Sequence, residues 1–189
     1  MRDNREIILT GFGTFGDLAS NPSEKLINSL KSELQDELYQ LFVLPVSYSY
    51  CSDWSKVHIS ESTSLVIHFG VSAKSEVIQL ETTGRNVIGT TKDIDGSIPG
   101  IKVIEHGPDT IQTELDLDRV CKELQKNCFK CELSDNAGDY LCNYILYKSL
   151  TIAPGKSLFV HIPPEEKISI EELKRFTLAL IRNLLDQVK

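Results

Sequence analysis

The chain alternates, almost from end to end, between strand-length apolar runs and segments whose apolar residues recur at helical spacing, and few folds accommodate that rhythm. Glu6–Thr10 is a short apolar run, and Glu24–Leu38 then mixes apolar and charged residues with the period of a helix. Tyr39–Leu44 reads as the next strand and Ser49–Ile59 as a shorter helix. Ser64–Gly70 has the composition of a buried strand, Glu76–Thr82 follows as another, and Lys102–His106 reads as an edge strand. Asp116 or Asp118 caps a helix that ends near Asn127, Cys128–Leu133 and Lys156–Ile162 are strands, and Ile170–Gln187 is a long amphipathic helix. Such alternation predicts an α/β layered domain built on a largely parallel sheet. No linker rich in proline, glycine or serine divides the 189 residues, which suffice for one filled core, so residues 1–189 read as a single domain.

Composition narrows what such a domain does. With 41% hydrophobic and 25% charged residues the composition suggests neither disorder nor a membrane span, and the longest apolar runs are strand-sized. A formal net charge of -7, with lysines and arginines scattered, argues against a nucleic-acid partner. Met1 is followed by Arg2-Asp3-Asn4-Arg5-Glu6 with no signal-peptide hydrophobic region, and five cysteines cannot all pair with one another. The expected compartment is therefore a reducing cytoplasm.

Two apparent motifs do not survive inspection. Gly11-Phe12-Gly13-Thr14-Phe15-Gly16 matches the glycine spacing of a dinucleotide-binding loop, but that loop needs a helix opening at its last glycine and an acidic residue ending the second strand. Here the helix start comes later, with Asn21 as cap, Pro22 at the first helical position and Glu24 reaching back in a capping box, and the second strand ends in Pro45-Val46-Ser47. Two phenylalanines in so short a glycine loop instead suggest that a pocket or a partner covers them. Cys128-x-x-Cys131 lies on a strand, where side chains of opposite parity cannot converge on one metal, and no second such pair exists. Thr90–Gly100 is a long polar loop of turn-forming residues, a kind that tends to be functional or mobile.

The chemistry concentrates at Ser134–Tyr147, where a polar turn runs into a helix patterned by Tyr140, Leu141, Tyr144, Ile145 and Leu146. Cys142 falls in its first turn, where free backbone N–H groups and the helix dipole favour a thiolate nucleophile. Taken alone, Cys142 can equally be a small buried residue of a core helix, and Glu81, near the end of its strand, a solvated edge group. Of the four histidines, His58, His68 and His106 read as structural or exposed, whereas His161 stands at the end of the last strand. Glu81, Cys142 and His161 thus fall at strand ends or just beyond, on the rim where α/β sheets build sites, and their types suit a thiol nucleophile, its base and the acceptor that orients the base.

The chain also resembles the pyroglutamyl-peptidase I family of cysteine exopeptidases, on separated motifs in the family's order: Gly11–Gly16 with Asn21-Pro22-Ser23, Leu44-Pro45-Val46, Leu80-Glu81, Asn136–Asn143 and Phe159–Pro163. The resemblance implies a single-domain three-layer α/β/α sandwich with a largely parallel, mixed central sheet. It makes Cys142 the nucleophile, His161 the general base and acid, and Glu81 the orienting carboxylate, with Phe12, Phe15, Tyr140 and Leu141 walling the lactam ring. N-terminally pyroglutamylated peptides are the implied substrates, with no metal or organic cofactor, no nucleic acid and no membrane partner; the oligomeric state is left open. Thr14 stands where the family usually has proline, and the polar loop lacks the family's Arg-Ile-Pro-Asp segment, for whose arginine Lys92 or Arg85 is the candidate substitute. Alternative readings are a catalytically silent pyroglutamyl-peptide-binding protein and a nucleoside phosphorylase-like enzyme, the latter lacking a recognisable phosphate site.

Overall fold

Side chains alternate across a strand, so the partners of odd and even positions decide how the layers stack. This computed structural model describes residues 6–16 and 20–188; Met1–Arg5, on which the leader reading rests, lie outside them. In chain order the elements are β1 (Ile7–Phe12), α1 (Pro22–Leu30), β2 (Tyr39–Leu44), α2 (Tyr48–His58), β3 (Leu65–Val71), β4 (Ile78–Glu81), β5 (Thr83–Arg85), β6 (Thr110–Gln112), α3 (Leu117–Lys126), β7 (Cys131–Ser134), α4 (Leu141–Ile152), β8 (Ser157–Ile162) and α5 (Ile170–Leu185). Six strands form one sheet in the order β2-β1-β3-β8-β4-β7, and β5 and β6 pair separately. Ile7, Leu9, Leu65, Ile67, Phe69, Leu158, Val160 and Ile162 pack in one apolar cluster with α1, α3 and α5, whereas Ile8, Val66 and Phe159 pack in another with α2 and α4. The result is a mixed, mostly parallel sheet between two helical layers, as expected. Among the described residues no helix is long and apolar enough to cross a membrane.

Strand direction departs from the simplest expectation. β2, β1, β3 and β8 run parallel, but β4 is antiparallel to β8, and β7 follows β4. Glu81 therefore does not end on the rim shared by β1, β3 and β8. It lies opposite Phe159, with Gln79 opposite His161. Opposed residues share a face, and so do residues two apart along a strand, so Glu81 is a diagonal neighbour of His161 on the face covered by α4.

Four local expectations also give way. The first helix stops at Leu30 instead of continuing to Leu38, because Glu33 and Leu34 N–H both return to the Leu30 carbonyl and Asp36 Oδ1 accepts the Leu38 N–H in a turn that competes with helix. Asn21 does cap α1, but among the described residues Glu24 does not reach back to complete a capping box: Ser23 instead donates its N–H to Asn21 Oδ1 at 3.0 Å and its hydroxyl to the same oxygen at 2.8 Å. Lys102–His106 is not a strand; Asn86 takes the N–H and carbonyl of Ile104 and the carbonyl of Gly107, so β6 pairs further along at Thr110–Gln112. The strand proposed for Cys128–Leu133 begins only at Cys131. Cys128, with φ 64°, closes α3: its N–H goes to the Gln125 carbonyl and that of Phe129 to Leu124, a left-handed helix end normally given to glycine.

Candidate active site

α4 presents its first turn to the sheet, and its N-terminus differs from those of the other helices. Side chains of Asn21, Ser47, Asp116 and Ser169 cap α1, α2, α3 and α5, but Tyr140, the cap residue of α4, makes no side-chain cap bond. The first amides of α4 are thus left without the usual intramolecular acceptor, and Cys142 is the second helical residue there. Beneath it lies Gly70, opposite His161 in the β3–β8 register. A Cβ at Gly70 would come within 2.7 Å of the Phe159 ring and 3.1 Å of Cys142 Sγ, so only glycine lets the thiol settle onto the sheet.

His161 joins the remaining groups. Its Nδ1 lies 2.7 Å from Glu81 Oε1, and the geometry suits an Nδ1–H donated to the carboxylate, which leaves Nε2 for the thiol side. Glu81 is 1% exposed and His161 8%. Glu81 Oε2 has no hydrogen-bond donor among the described residues, so little else competes with the imidazole for its charge. Burial opposes protonation of the ring, but hydrogen bonds and Coulombic attraction to Cys142 and Glu81 outweigh it and push the His161 pKa up to about 10. The arrangement can hold a thiolate–imidazolium pair beside uncommitted amide donors, which is the equipment of acyl transfer.

The four expected pocket residues also come together. Phe12 and Leu141 are buried in the apolar cluster on the α4 side, and Phe15, Tyr140 and Cys142 pack against it. The Phe15 and Tyr140 rings lie 6.0 Å apart between centroids, inclined at 42°. Behind Phe12, Ser23 Oγ accepts its N–H at 3.0 Å, while Asn21 Nδ2 donates to the Gly13 carbonyl at 2.9 Å. These bonds hold the phenylalanine loop despite Thr14.

Residues 5–179 match the family described as pyroglutamyl peptidase. This chain belongs to that family. It is 33% identical to pyroglutamyl-peptidase 1 of Homo sapiens over 193 aligned positions, spanning 96% of this chain and 90% of the human protein. The pyrrolidone-carboxylate peptidase of Oceanobacillus iheyensis is 31% identical, spanning 88% of this chain and 87% of that protein. Among solved structures, pyrrolidone carboxyl peptidase from Thermococcus litoralis superposes with a TM-score of 0.87 at 25% identity, covering 96% of this chain and 94% of that one.

Both candidates for the family arginine have hydrogen-bond partners outside Cys142, His161 and Glu81. The Arg85 guanidinium donates to Asn136 Oδ1 at 3.0 Å, and Lys92 offers its backbone carbonyl to the Tyr140 hydroxyl at 3.0 Å. Gly70 and Asn143 were given no role of their own by the sequence reading. Gly70 ends a β-branched and aromatic run, a position where glycine weakens a strand unless something must approach closely. Asn143 is fully buried and bonds the N–H and carbonyl of Arg85 and the carbonyl of Val87, tying the start of α4 to the strand that follows Glu81. A polar residue among Tyr144, Ile145 and Leu146 was the available signal.

Proposed function

We propose that the chain is a cysteine exopeptidase that hydrolyses the amide bond after an N-terminal pyroglutamyl residue, with Cys142 as nucleophile, His161 as base and acid, and Glu81 orienting His161. The observation that carries this reading is a thiol at the one described helix start without a side-chain cap, beside an imidazole whose other nitrogen is held by a buried carboxylate. His161 takes the thiol proton on Nε2. Sulfur attacks the pyroglutamyl carbonyl carbon, the π pair moves to oxygen, and the free amides at the start of α4 hold that oxyanion. As the tetrahedral adduct collapses, the C–N bond breaks and His161 returns its proton to the departing amine, leaving a thioester. Water then attacks the thioester and gives a proton to His161. The thiolate departs and free pyroglutamate leaves.

Phe12, Phe15, Tyr140 and Leu141 suit a flat, uncharged lactam. An N-terminal glutamine presents an open chain and an ammonium; burying that charge among such walls without a partner costs several kcal/mol, and each ~1.4 kcal/mol is tenfold. Cation–π attraction offsets only about 0.5 to 2 kcal/mol. Matched pyroglutamyl- and glutaminyl-amides should therefore differ in kcat/KM by about a thousandfold or more. Rates within tenfold of each other would sink the pocket assignment. Binding without cleavage would indicate a silent binder, and phosphorolysis of a nucleoside in a parallel assay would indicate the phosphorylase reading.

A further inference from the structure

The polar segment Thr90–Gly100 forms no helix or strand, yet one side chain fastens it to the wall of the pocket. Asp93 is only 5% exposed. Its Oδ1 accepts the N–H groups of Asp95 at 3.0 Å and Ser97 at 2.8 Å, and its Oδ2 accepts the N–H of Tyr48, the first residue of α2, at 2.9 Å. Backbone bonds from Asp93 to Ser97, from Gly96 to Asp93 and from Ile94 to Val46 tighten the same knot, and Ser47 Oγ donates to Asp95 Oδ2 at 2.6 Å. A carboxylate tolerates such burial because amide donors and the positive end of α2 replace its hydration.

Lys92, the residue before this knot, gives its carbonyl to the Tyr140 hydroxyl. The Tyr140 ring in turn packs against Phe15 and stands edge-on to Tyr48 at 5.8 Å. Burial, and then Coulombic effects of Asp93 and Cys142, push the Tyr140 hydroxyl up to about 12, so it remains a donor at physiological pH. Tyr140 therefore has its ring fixed on one side by aromatic packing and at its tip by a loop carbonyl.

We propose that Asp93 is a positioning residue for specificity: by pinning the Thr90–Gly100 segment onto α2 it sets the Lys92 carbonyl, which holds the Tyr140 ring as a wall of the lactam pocket. This rests on the pocket reading above. Asp93 acts on the fit of the ring and not on the reacting bond. Loosening it costs binding that is common to ground and transition states, which raises KM and leaves kcat alone.

In Asp93→Ala, KM for a pyroglutamyl amide should rise about tenfold with kcat within about twofold, because uniform binding is what is lost. Alkylation of Cys142 by iodoacetamide, followed by peptide mapping, should keep its wild-type rate without ligand, while free pyroglutamate should protect it less. Asp93→Asn, which retains an acceptor for the Asp95 and Ser97 amides, should recover part of the KM. Tyr140→Phe keeps the ring and deletes only its bond to Lys92, so its KM should also rise, and the Asp93→Ala/Tyr140→Phe pair should fall short of additivity. Additive effects, a loss confined to kcat, or an unchanged KM in Tyr140→Phe would overturn the proposal. Should Asp93→Ala fail to fold, the Tyr140→Phe measurement decides alone. A wild-type protein inert on the pyroglutamyl amide sinks the functional reading instead, whereas an active one whose KM ignores both substitutions sinks only this inference.

Discussion

Two imidazoles on one face of the sheet meet opposite fates. His68 of β3 is in register with Phe159 of β8, and His161 lies two residues further along β8, opposite Gly70. The Phe159 ring sits between them, with centroids 6.4 Å from His68 and 4.8 Å from His161. Both histidines are buried, but His68 lies 2.7 Å from Thr10 Oγ1 at Nδ1 and 2.7 Å from Ser149 Oγ at Nε2, so burial alone draws its pKa down to about 3. His161 suffers the same desolvation, yet a thiol and a carboxylate reverse its direction. Burial does not decide a histidine's charge. What decides it is whether the hydrogen-bonding partners can carry the opposite one.

Removing the thiol breaks the contrast most severely. Cys142→Ser should lower kcat/KM by about a thousandfold or more, since only binding and oxyanion stabilisation would remain, while circular dichroism and the unfolding midpoint stay near wild type. Alanine at Cys121, Cys128 or Cys131 should leave turnover within a few-fold. Cys128 is exposed and will also react with iodoacetamide, so labelling has to be mapped by residue, with pyroglutamate protecting Cys142 alone. A Cys142→Ser protein that is folded and fully active would end the nucleophile assignment.

Glu81→Gln makes the surroundings of His161 more like those of His68. Turnover should fall by about 10² to 10⁴-fold, the usual scale of an oriented general acid–base group, with a much smaller change in KM. The neutral amide also lets burial pull the His161 pKa down, so the alkaline limb of the kcat/KM profile should move to lower pH. Stability gives an independent sign. His161 is raised from its ordinary 6.5 to about 10, so its stabilising contribution is complete below 6.5 and is lost as pH rises through about 10. The stability gap between wild type and Glu81→Gln should accordingly be wider at pH 6 than at pH 10. A limb and a gap that ignore the substitution would reduce the triad to a Cys142–His161 pair.

The face shared by these groups was only partly legible in the sequence. Tyr39–Leu44 and the strand that carries His161 could be read because largely apolar runs of strand length leave little choice, and the helix that carries Cys142 because its apolar spacing is clear. The direction of β4 could not be read, since a short strand carries the same pattern whichever way it runs; the register with Phe159, not a common rim, brings Glu81 to His161. Cys128 takes a left-handed turn without glycine, so its helix end resembled a strand start. Gly70, Asn143 and Asp93 matter through what approaches them from distant parts of the chain, and local spacing does not encode that. His68, read as structural or exposed from its place in a buried strand, is fully buried.

That burial yields the prediction with the smallest expected effect on catalysis. His68→Gln should leave kcat/KM within a few-fold, because His68 bridges β1, β3 and α4 through Thr10 and Ser149 without touching the reacting groups. Near pH 7 it should cost about 1 to 3 kcal/mol, as a shorter amide strands at least one buried hydroxyl. Acid should then erase the difference. The folded pKa of His68 lies near 3 against an ordinary 6.5, so the unfolded chain gains a proton that the folded one refuses. Wild type therefore loses up to about 1.4 kcal/mol for each pH unit below 6.5 on this account, until about pH 3. The glutamine variant has no such slope from this position. Denaturant titrations at pH 7 and pH 4.5 should find the variant weaker at the first and equal or stronger at the second. A gap that stays constant would mean that His68 accepts a proton in the folded state, and the neutral rivet would then be no different in kind from the charged histidine beside it.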